Sequence, residues 1–271
     1  MSKVLNYGQD IHIQTMMLFN DLIFGPIHSR RLGLSLGVNL LPVDAKICSF
    51  DCVYCECGYN TTLKDSPIPS RELVRDTLEA KLIAMKSEGQ IPDVITFAGN
   101  GEPTLHAEFE GIIDDTLYLR NTYCPTAKVS VLSNSTRIHK PNIFRALNKV
   151  DNNILKFDSA IDRTMKLMNC PTGTLINVAW FIEHLKKFDG HLIIQTMFLK
   201  GEFKGETFDN TTDAEVEAWL KAMDEIHPEQ IMIYSLDREA PTQTLEKIGL
   251  EELEVIAVKA RERGFDVSVA G

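Results

Sequence analysis

The sequence predicts an α/β fold built on a parallel sheet, and three observations predict it. Short apolar runs alternate with helical patterns along the chain, the connections between runs are long, and polar residues follow each run. Parallel neighbours need a crossover connection, which a helix supplies. The strand-like runs are LSLGVNL (around 35–40), DVITFAG (93–99), KVSVLSN (128–134), NILKFDS (153–159), HLIIQTMFL (191–199) and QIMIYSL (230–236), with a short FDVSV (265–269) after them. Between them, residues 70–89 read as a helix with Ser70 as N-cap, Glu72 in the first turn and Gly89 as stop. Residues 212–226 open with Thr212 and Glu215 at capping-box spacing, and residues 249–264 carry an apolar stripe ending in basic residues before Gly264. Six strand–helix units suit either an open doubly wound sheet or a curved, barrel-like one.

In both architectures the chemistry collects beyond the C-terminal ends of the strands. The polar residues lie there. Cysteines follow the first run, NGEPTLH the second, SNST the third, DSA the fourth and DRE the sixth. Five such coincidences point to one site.

Composition narrows the class of protein. Of 271 residues, 44% are hydrophobic and 24% charged, which is ordinary for a globular protein with a sizeable core. No stretch approaches the ~18 uninterrupted apolar residues of a membrane span. The first residues, MSKVLNYGQDIHIQTMMLFNDL, lack a basic start followed by an apolar core, so a cytoplasmic location is expected. There, clustered cysteines bind metal or do redox chemistry more often than they form disulfides. A net charge of −10 argues against a protein that grips nucleic acid through its backbone, although a local basic patch is compatible with it. Arg30 and Arg31, an adjacent pair close to the cysteines, read as a solvated turn or an anion contact.

Four of the six cysteines fall in CSFDCVYCECG, residues 48–58. A structural zinc site wants four ligands, typically as two separated pairs, and no second pair follows at finger spacing. A thioredoxin-like couple needs only C-x-x-C and leaves Cys48 unexplained. Closely spaced thiolates in one loop serve an iron–sulfur cluster well. If three cysteines hold three irons of a [4Fe–4S] cube, the fourth iron stays open to a non-protein ligand.

The pattern Cys48-x3-Cys52-x-Tyr54-Cys55 is similar to the signature of the radical S-adenosylmethionine (SAM) superfamily. The resemblance extends over about residues 35–240. GNGEPT (99–104) stands where that superfamily has its Gly-Gly-Glu segment, and LSNST (132–136) where it has a ribose-contacting segment. GPIHSRRLGLSLGVNLLP, FAGNGEPTLH and IQTMFLKG resemble the compact members grouped with the wyosine-base synthases of tRNA. The resemblance implies a partial parallel (β/α)6 barrel, with residues 26–271 as the core and 1–25 as an N-terminal extension, expected to be partly mobile. It implies that Cys48, Cys52 and Cys55 hold a [4Fe–4S] cluster whose open iron chelates the amino and carboxylate groups of SAM. An electron from an external donor such as flavodoxin or ferredoxin then splits SAM into methionine and a 5′-deoxyadenosyl radical, which takes hydrogen from a substrate. Such an enzyme is an oxidoreductase. Glu102 accepts from the methionine amino group, Ser133 and Asn134 meet the ribose or carboxylate, and Tyr54 lies beside the adenine. The Gly-Gly-Glu of the segment reads Asn100-Gly101-Glu102 here, so Asn100 replaces its first glycine and is expected to tolerate positive φ there.

Substrate residues are less defined. Lys156 and Asp158 end the fourth run, Asp237 and Arg238 follow the sixth, and these four are the candidates for catalysis. The substrate expected is a small molecule, nucleotide or RNA base. An activase or peptide modifier acting on a polypeptide is the alternative, and a non-enzymatic metal scaffold the third reading. Wyosine-base synthases carry a second cluster on cysteines upstream of the motif, and none precedes Cys48 here. Cys57 reads as a loop thiol, since a fourth thiolate would close the open corner. Cys124 and Cys170 read as small packed residues. His28 and His106 read as loop hydrogen-bonders, and Met165, Met168 and Met197 as core or pocket lining.

Overall fold

The computed structural model describes residues 18–29, 33–61, 66–173, 176–238 and 240–270. Arg30, Arg31 and residues 1–17 lie outside them. Strands β1 (Ile23–Ser29) and β2 (Gly33–Val38) come first, then the cysteine-bearing loop and helix α1 (Arg71–Ser87). β3 (Val94–Phe97), α2 (Phe109–Tyr123), β4 (Lys128–Ser133), α3 (Pro141–Leu147), β5 (Asn152–Lys156), α4 (Asp162–Asn169), α5 (Val178–Leu185) and β6 (Ile193–Met197) continue the alternation. β7 (Leu199–Phe203) and β8 (Glu206–Asp209) precede α6 (Asp213–Ile226), β9 (Gln230–Tyr234), β10 (Leu245–Lys247), α7 (Leu250–Arg261) and β11 (Val267–Ala270).

Eight strands form one sheet in the order β1-β2-β3-β4-β5-β6-β9-β11. All neighbours are parallel except β1 on β2, so the six strands expected from the sequence lie side by side in chain order, with β11 as a seventh parallel strand. This is the α/β, parallel-sheet architecture expected of a partial barrel. Alternation along each strand divides its side chains between two layers. Val129, Val131, Leu155, Ile194, Ile231 and Ile233 join the main core beneath the helices. Ile154, Ile193 and Met232, with Leu132, form a separate small cluster on the other face. A sheet apolar on both faces reads as near-continuous hydrophobic runs, which is how these strands appear in the sequence.

The caps follow their sequence signals. Ser70 Oγ accepts from Leu73 N–H (3.2 Å) and Thr212 Oγ1 from Glu215 N–H (3.4 Å). The Glu215 carboxylate does not reach back to the cap. It is buried and accepts from Ser159 Oγ (2.7 Å) and Thr164 Oγ1, tying α6 to the segment after β5.

Two features depart from the expectation. The run 191–199 is two strands, not one. The break falls at Phe198, whose N–H donates to Tyr234 O (2.8 Å). Asn210 holds the bend: its Oδ1 accepts from Leu199 N–H (2.8 Å), and its Nδ2 donates to Met197 O (2.7 Å) and Asp158 O (2.8 Å). Beyond the bend, β7 leaves the main sheet and pairs with β8 and β10 in a small antiparallel sheet. The second departure is β1, which enters the main sheet at Ile23, inside the stretch 1–25 read as an extension. Its Gly25-Pro26 pair interrupts the strand pattern, and proline is tolerated here because β1 is an edge strand with a register shift between Phe24 and Ile27. Among the described residues no helix is long and apolar enough to cross a membrane.

Candidate active site

Because the strands are parallel, the C-terminal ends of β4, β5, β6 and β9 and the segments that follow β2, β3 and β4 meet at one end of the sheet. They line a cavity of about 290 Å³ whose walls include Lys46, Cys48, Cys52, Tyr54, Cys55, Cys57, Gly101, Glu102, Ser133, Asn134, Lys156, Gln195, Met197 and Tyr234. All three motif cysteines therefore line one cavity.

Gly101 joins the cysteine loop to the segment after β3. Ile47 N–H donates to Asn100 O (2.9 Å) and Glu102 N–H to Ile47 O (3.0 Å). A Cβ on Gly101 would stand 1.7 Å from Ile47 O, and its φ of +136° is open to glycine. Gly99 likewise has a φ of +155°. Asn100 does not take the positive φ expected of it, because the two glycines flanking it do. Its buried amide is used elsewhere: Oδ1 accepts from Phe19 N–H (2.8 Å), and Nδ2 donates to Phe19 O (2.9 Å) and Pro42 O (2.9 Å). Asn100 thus holds the chain before β1 and is absent from the cavity wall.

The other side of the cysteine loop is stitched to the end of α4. Asp51 N–H donates to Asn169 O (2.9 Å), Val53 N–H to Met168 O (3.0 Å) and Thr172 N–H to Ser49 O (3.0 Å). Side chains then reach the sulfurs. Asn134 Nδ2 donates to Cys48 Sγ (3.3 Å) and Asn169 Nδ2 to Cys52 Sγ (3.6 Å), while Phe50 N–H points at Cys48 Sγ (3.5 Å). Burial pushes the thiols of Cys48 and Cys52 up to about 12 in the metal-free protein. Cys55 moves the other way, down to about 6, chiefly because Cys57 hydrogen-bonds to it, with Lys46 assisting. That same bond, with burial, pushes Cys57 up. Lys46 is 1% exposed. Burial alone would lower it, but the sulfurs of Cys55, Cys48 and Cys52 and the Asp51 carboxylate outweigh that and raise it.

Glu102 is buried at the cavity wall. Its Oε1 accepts from Thr104 N–H (3.1 Å), Thr104 Oγ1 (2.5 Å) and Ser133 Oγ (2.9 Å), and its Oε2 from Asn134 N–H (2.6 Å). Burial pushes its carboxyl up, and these donors oppose that. A carboxylate offers about four lone-pair sites. Oε2, with one donor, keeps room for another.

Asp158 is placed under the site rather than in it. Its side chain is fully buried, accepts from Tyr54 OH, Asn169 Nδ2 (2.6 Å) and Met197 N–H (2.9 Å), and pairs with Lys156 Nζ at 3.7 Å. Lys156 reaches the cavity, donating to Tyr234 OH (2.9 Å) with its Nζ 5.1 Å from the ring centre of Tyr54 and 5.5 Å from that of Tyr234. Burial works against its charge, but Asp158, Tyr234 and Cys52 together raise its pKa. Burial and Asp158 push the Tyr54 phenol well up. Asp237 and Arg238 are exposed and absent from the cavity wall, and Arg238 Nη1 donates to Glu56 Oε2 (2.8 Å). Cys57 is on the wall, donating to Gly99 O (3.5 Å), while Cys124 is buried at the C-terminal end of α2 and Cys170 caps α4 with a φ of 43°. His106 is a loop hydrogen-bonder, its Nε2 2.7 Å from Pro69 O. Lys46, Asn169, Gln195 and Tyr234 were not singled out from the sequence as site residues. Lys46 and Asn169 are isolated polar residues in loop and helix-end positions, and only the closure of the loop brings them to the sulfurs.

A sequence profile of the radical SAM superfamily matches residues 43–214, which hold the cysteines, Glu102, Asn134 and Lys156. The chain belongs to the radical SAM superfamily. Its likeness to the GTPase Obg of Brachyspira hyodysenteriae is 27% over 236 residues, covering 86% of this chain and 32% of the relative. A UPF0026 protein of Methanocaldococcus jannaschii is 31% identical over 183 residues, 66% of this chain and 54% of its own length. The chain thus spans about half or less of these curated relatives. Among solved structures, a radical SAM methyltransferase from Sphaerobacter thermophilus superposes with a TM-score of 0.62 at 13% identity, covering 87% of this chain and 65% of that one. Streptococcus suis SuiB bound to S-adenosylmethionine gives 0.61 at 12%, covering 84% and 49%. TYW1 with a lysine–pyruvate adduct bound gives 0.58 at 14%, covering 84% and 73%. At these identities the likeness is one of fold, and it is a radical SAM fold.

Proposed function

We propose that this radical SAM enzyme binds a [4Fe–4S] cluster through Cys48, Cys52 and Cys55, cleaves SAM reductively there, and abstracts hydrogen from a small molecule, nucleotide or RNA base. The observation that carries the reading is the meeting of three cysteine thiols with a buried carboxylate, Glu102, on the wall of one cavity. The donor set fits a cluster. Three cysteines of one loop line the cavity, and Phe50 N–H, Asn134 Nδ2 and Asn169 Nδ2 point at two of their sulfurs. When bound, the cluster supplies one electron to the sulfonium of SAM, giving methionine and the 5′-deoxyadenosyl radical.

The chain's own residues hold and orient. Glu102 accepts from the ammonium group of SAM at Oε2, and Ser133 and Asn134 add hydroxyl and amide groups beside it. Tyr54, fixed by Asp158 and Asn169, offers a ring face to the adenine. Lys156 and Tyr234, which also line the cavity, are the candidates to meet the substrate or the SAM carboxylate, while Asp158 acts through Tyr54 and Lys156. Phe50, Leu132 and Met197 keep part of the wall apolar and limit water. The catalytic unit proposed runs from β1 to β11. The net charge of −10 supports a substrate that is not gripped through a phosphate backbone, and the electron is proposed to come from an external donor such as flavodoxin or ferredoxin.

The test is anaerobic turnover. Protein reconstituted with iron and sulfide, reduced with dithionite and given SAM should release 5′-deoxyadenosine, and Cys55→Ala should not. Stoichiometric zinc with no cleavage would overturn the reading.

A further inference from the structure

Lys46 stands two residues before Cys48, outside any strand or helix, with its side chain 1% exposed. Its Nζ donates to Gly58 O (2.6 Å) and to Asp51 Oδ1 (3.3 Å). The loop closes around it: Lys46 N–H donates to Thr61 Oγ1 (3.0 Å), Thr61 N–H to Lys46 O (3.1 Å), Gly58 N–H to Cys55 O (2.8 Å) and Cys55 N–H to Cys52 O (3.1 Å). Lys46 lines the same cavity as Cys48, Cys52 and Cys55.

Holding a carbonyl oxygen in a turn needs a donor but not a charge, and a neutral amide would serve. Burying an ammonium is costly unless something nearby gains from it. Asp51 is a partial answer only. Its carboxylate is 31% exposed, so water screens it, and Oδ1 is shared with Asn60 N–H (2.7 Å). An ammonium has three donors: two go to Gly58 O and Asp51 Oδ1, and Nζ also hydrogen-bonds Cys55. The remaining beneficiaries are the sulfurs.

We infer that Lys46 is a positioning residue whose buried positive charge eases reduction of the metal centre held by Cys48, Cys52 and Cys55, an inference that rests on the [4Fe–4S] reading above. The step is the entry of one electron from an external low-potential donor. No bond forms or breaks in it. The centre with its three thiolates is anionic and becomes more so on reduction, so a fixed cation in a poorly screened wall stabilises the reduced form. Asp51, of opposite sign and better solvated, partly offsets that effect.

The experiment is an EPR-monitored redox titration of the reconstituted full chain, with iron and sulfide analysis of each sample. Lys46→Met should keep its iron and titrate at a more negative potential, with at least a tenfold fall in the reduced-to-oxidised ratio at a given poise, about 59 mV for one electron. Asp51→Asn keeps an oxygen for Asn60 N–H and removes the offsetting charge, so its potential should move the other way, to less negative values. A loop disturbed only in structure has no reason to shift with opposite signs in the two variants. A Lys46→Met protein that loads iron normally and titrates with the wild type overturns the inference. If Lys46→Met does not load iron, Asp51→Asn decides: a less negative potential supports the inference, and an unchanged or more negative one overturns it. A wild-type protein without iron and sulfide overturns the function reading, and the inference falls with it.

Discussion

Replacing Gly101 with alanine tests how the cysteine loop is held against Glu102. The new Cβ would stand 1.7 Å from Ile47 O and 2.5 Å from Ile47 C, backbone atoms that cannot turn aside. Two costs add. An L residue forced into positive φ loses about 1–2 kcal/mol. Relieving the clash separates the two backbone hydrogen bonds between Ile47 and the 100–102 segment, each contributing about 1 kcal/mol. The expected loss is about 3–4 kcal/mol, a large share of the roughly 5–15 kcal/mol of a typical domain. Gly89→Ala is the control. Its φ is +70°, but nothing lies within 4 Å of the added carbon, so only the backbone cost of about 1–2 kcal/mol applies. Urea denaturation of both metal-free variants, followed by circular dichroism, gives the difference. Gly101→Ala should also bind less iron on reconstitution, because Cys48 follows Ile47 directly. A Gly101→Ala protein no less stable than Gly89→Ala, with full iron, would refute the reasoning.

Other outcomes follow from the same contacts. Glu102→Gln turns an amide NH2 toward Asn134 N–H or toward the Thr104 and Ser133 donors, and should cost about 1–3 kcal/mol in thermal denaturation while weakening SAM binding. Asp158→Ala strands Lys156 and removes the acceptor of Tyr54 OH, Asn169 Nδ2 and Met197 N–H. A loss of about 3–5 kcal/mol is expected in urea, with Asp158→Asn losing less. In the metal-free protein the Cys55 thiolate forms as pH rises through about 6, whereas those of Cys48 and Cys52 form only near 12. Alkylation by iodoacetamide, mapped by mass spectrometry at pH 7, should therefore mark Cys55 well ahead of the other two.

Much of the sheet was legible because a doubly covered parallel strand writes itself as a run of apolar residues with polar groups after it. β3, β4 and β9 sit inside the runs that predicted them, and β5 starts one residue before its run. The bend at Phe198 was not legible. The residue that causes it, Asn210, lies beyond the next hairpin, and no local pattern announces a side chain that will hydrogen-bond three separate backbone groups. β1 was obscured by its own Gly-Pro, which suits an edge strand and hides it from a pattern search. At the site, the motif residues Cys48, Cys52, Cys55, Tyr54, Glu102, Ser133 and Asn134 were legible by spacing, and the structure gathers them around one cavity. Asn100 sits inside the motif, but its side chain is taken by Phe19 and Pro42. Asp237 and Arg238 follow the sixth predicted strand, yet the buried stretch ends with Ser235 and the half-buried Leu236 and leaves them exposed. Lys46 and Asn169 carry no spacing signal, because the loop folding back on itself sets Lys46 beside the cysteines and its packing on α4 sets Asn169 there.

The central claim is that three cysteines of one loop hold a cluster with a corner open to SAM. The measurement that tests it most directly is the EPR spectrum of the anaerobically reconstituted and reduced protein, recorded before and after SAM is added. The account predicts about four irons and four sulfides per chain and a reduced-cluster signal that changes on adding SAM. A signal indifferent to SAM, or a protein that takes up zinc and shows no cluster signal, would contradict it.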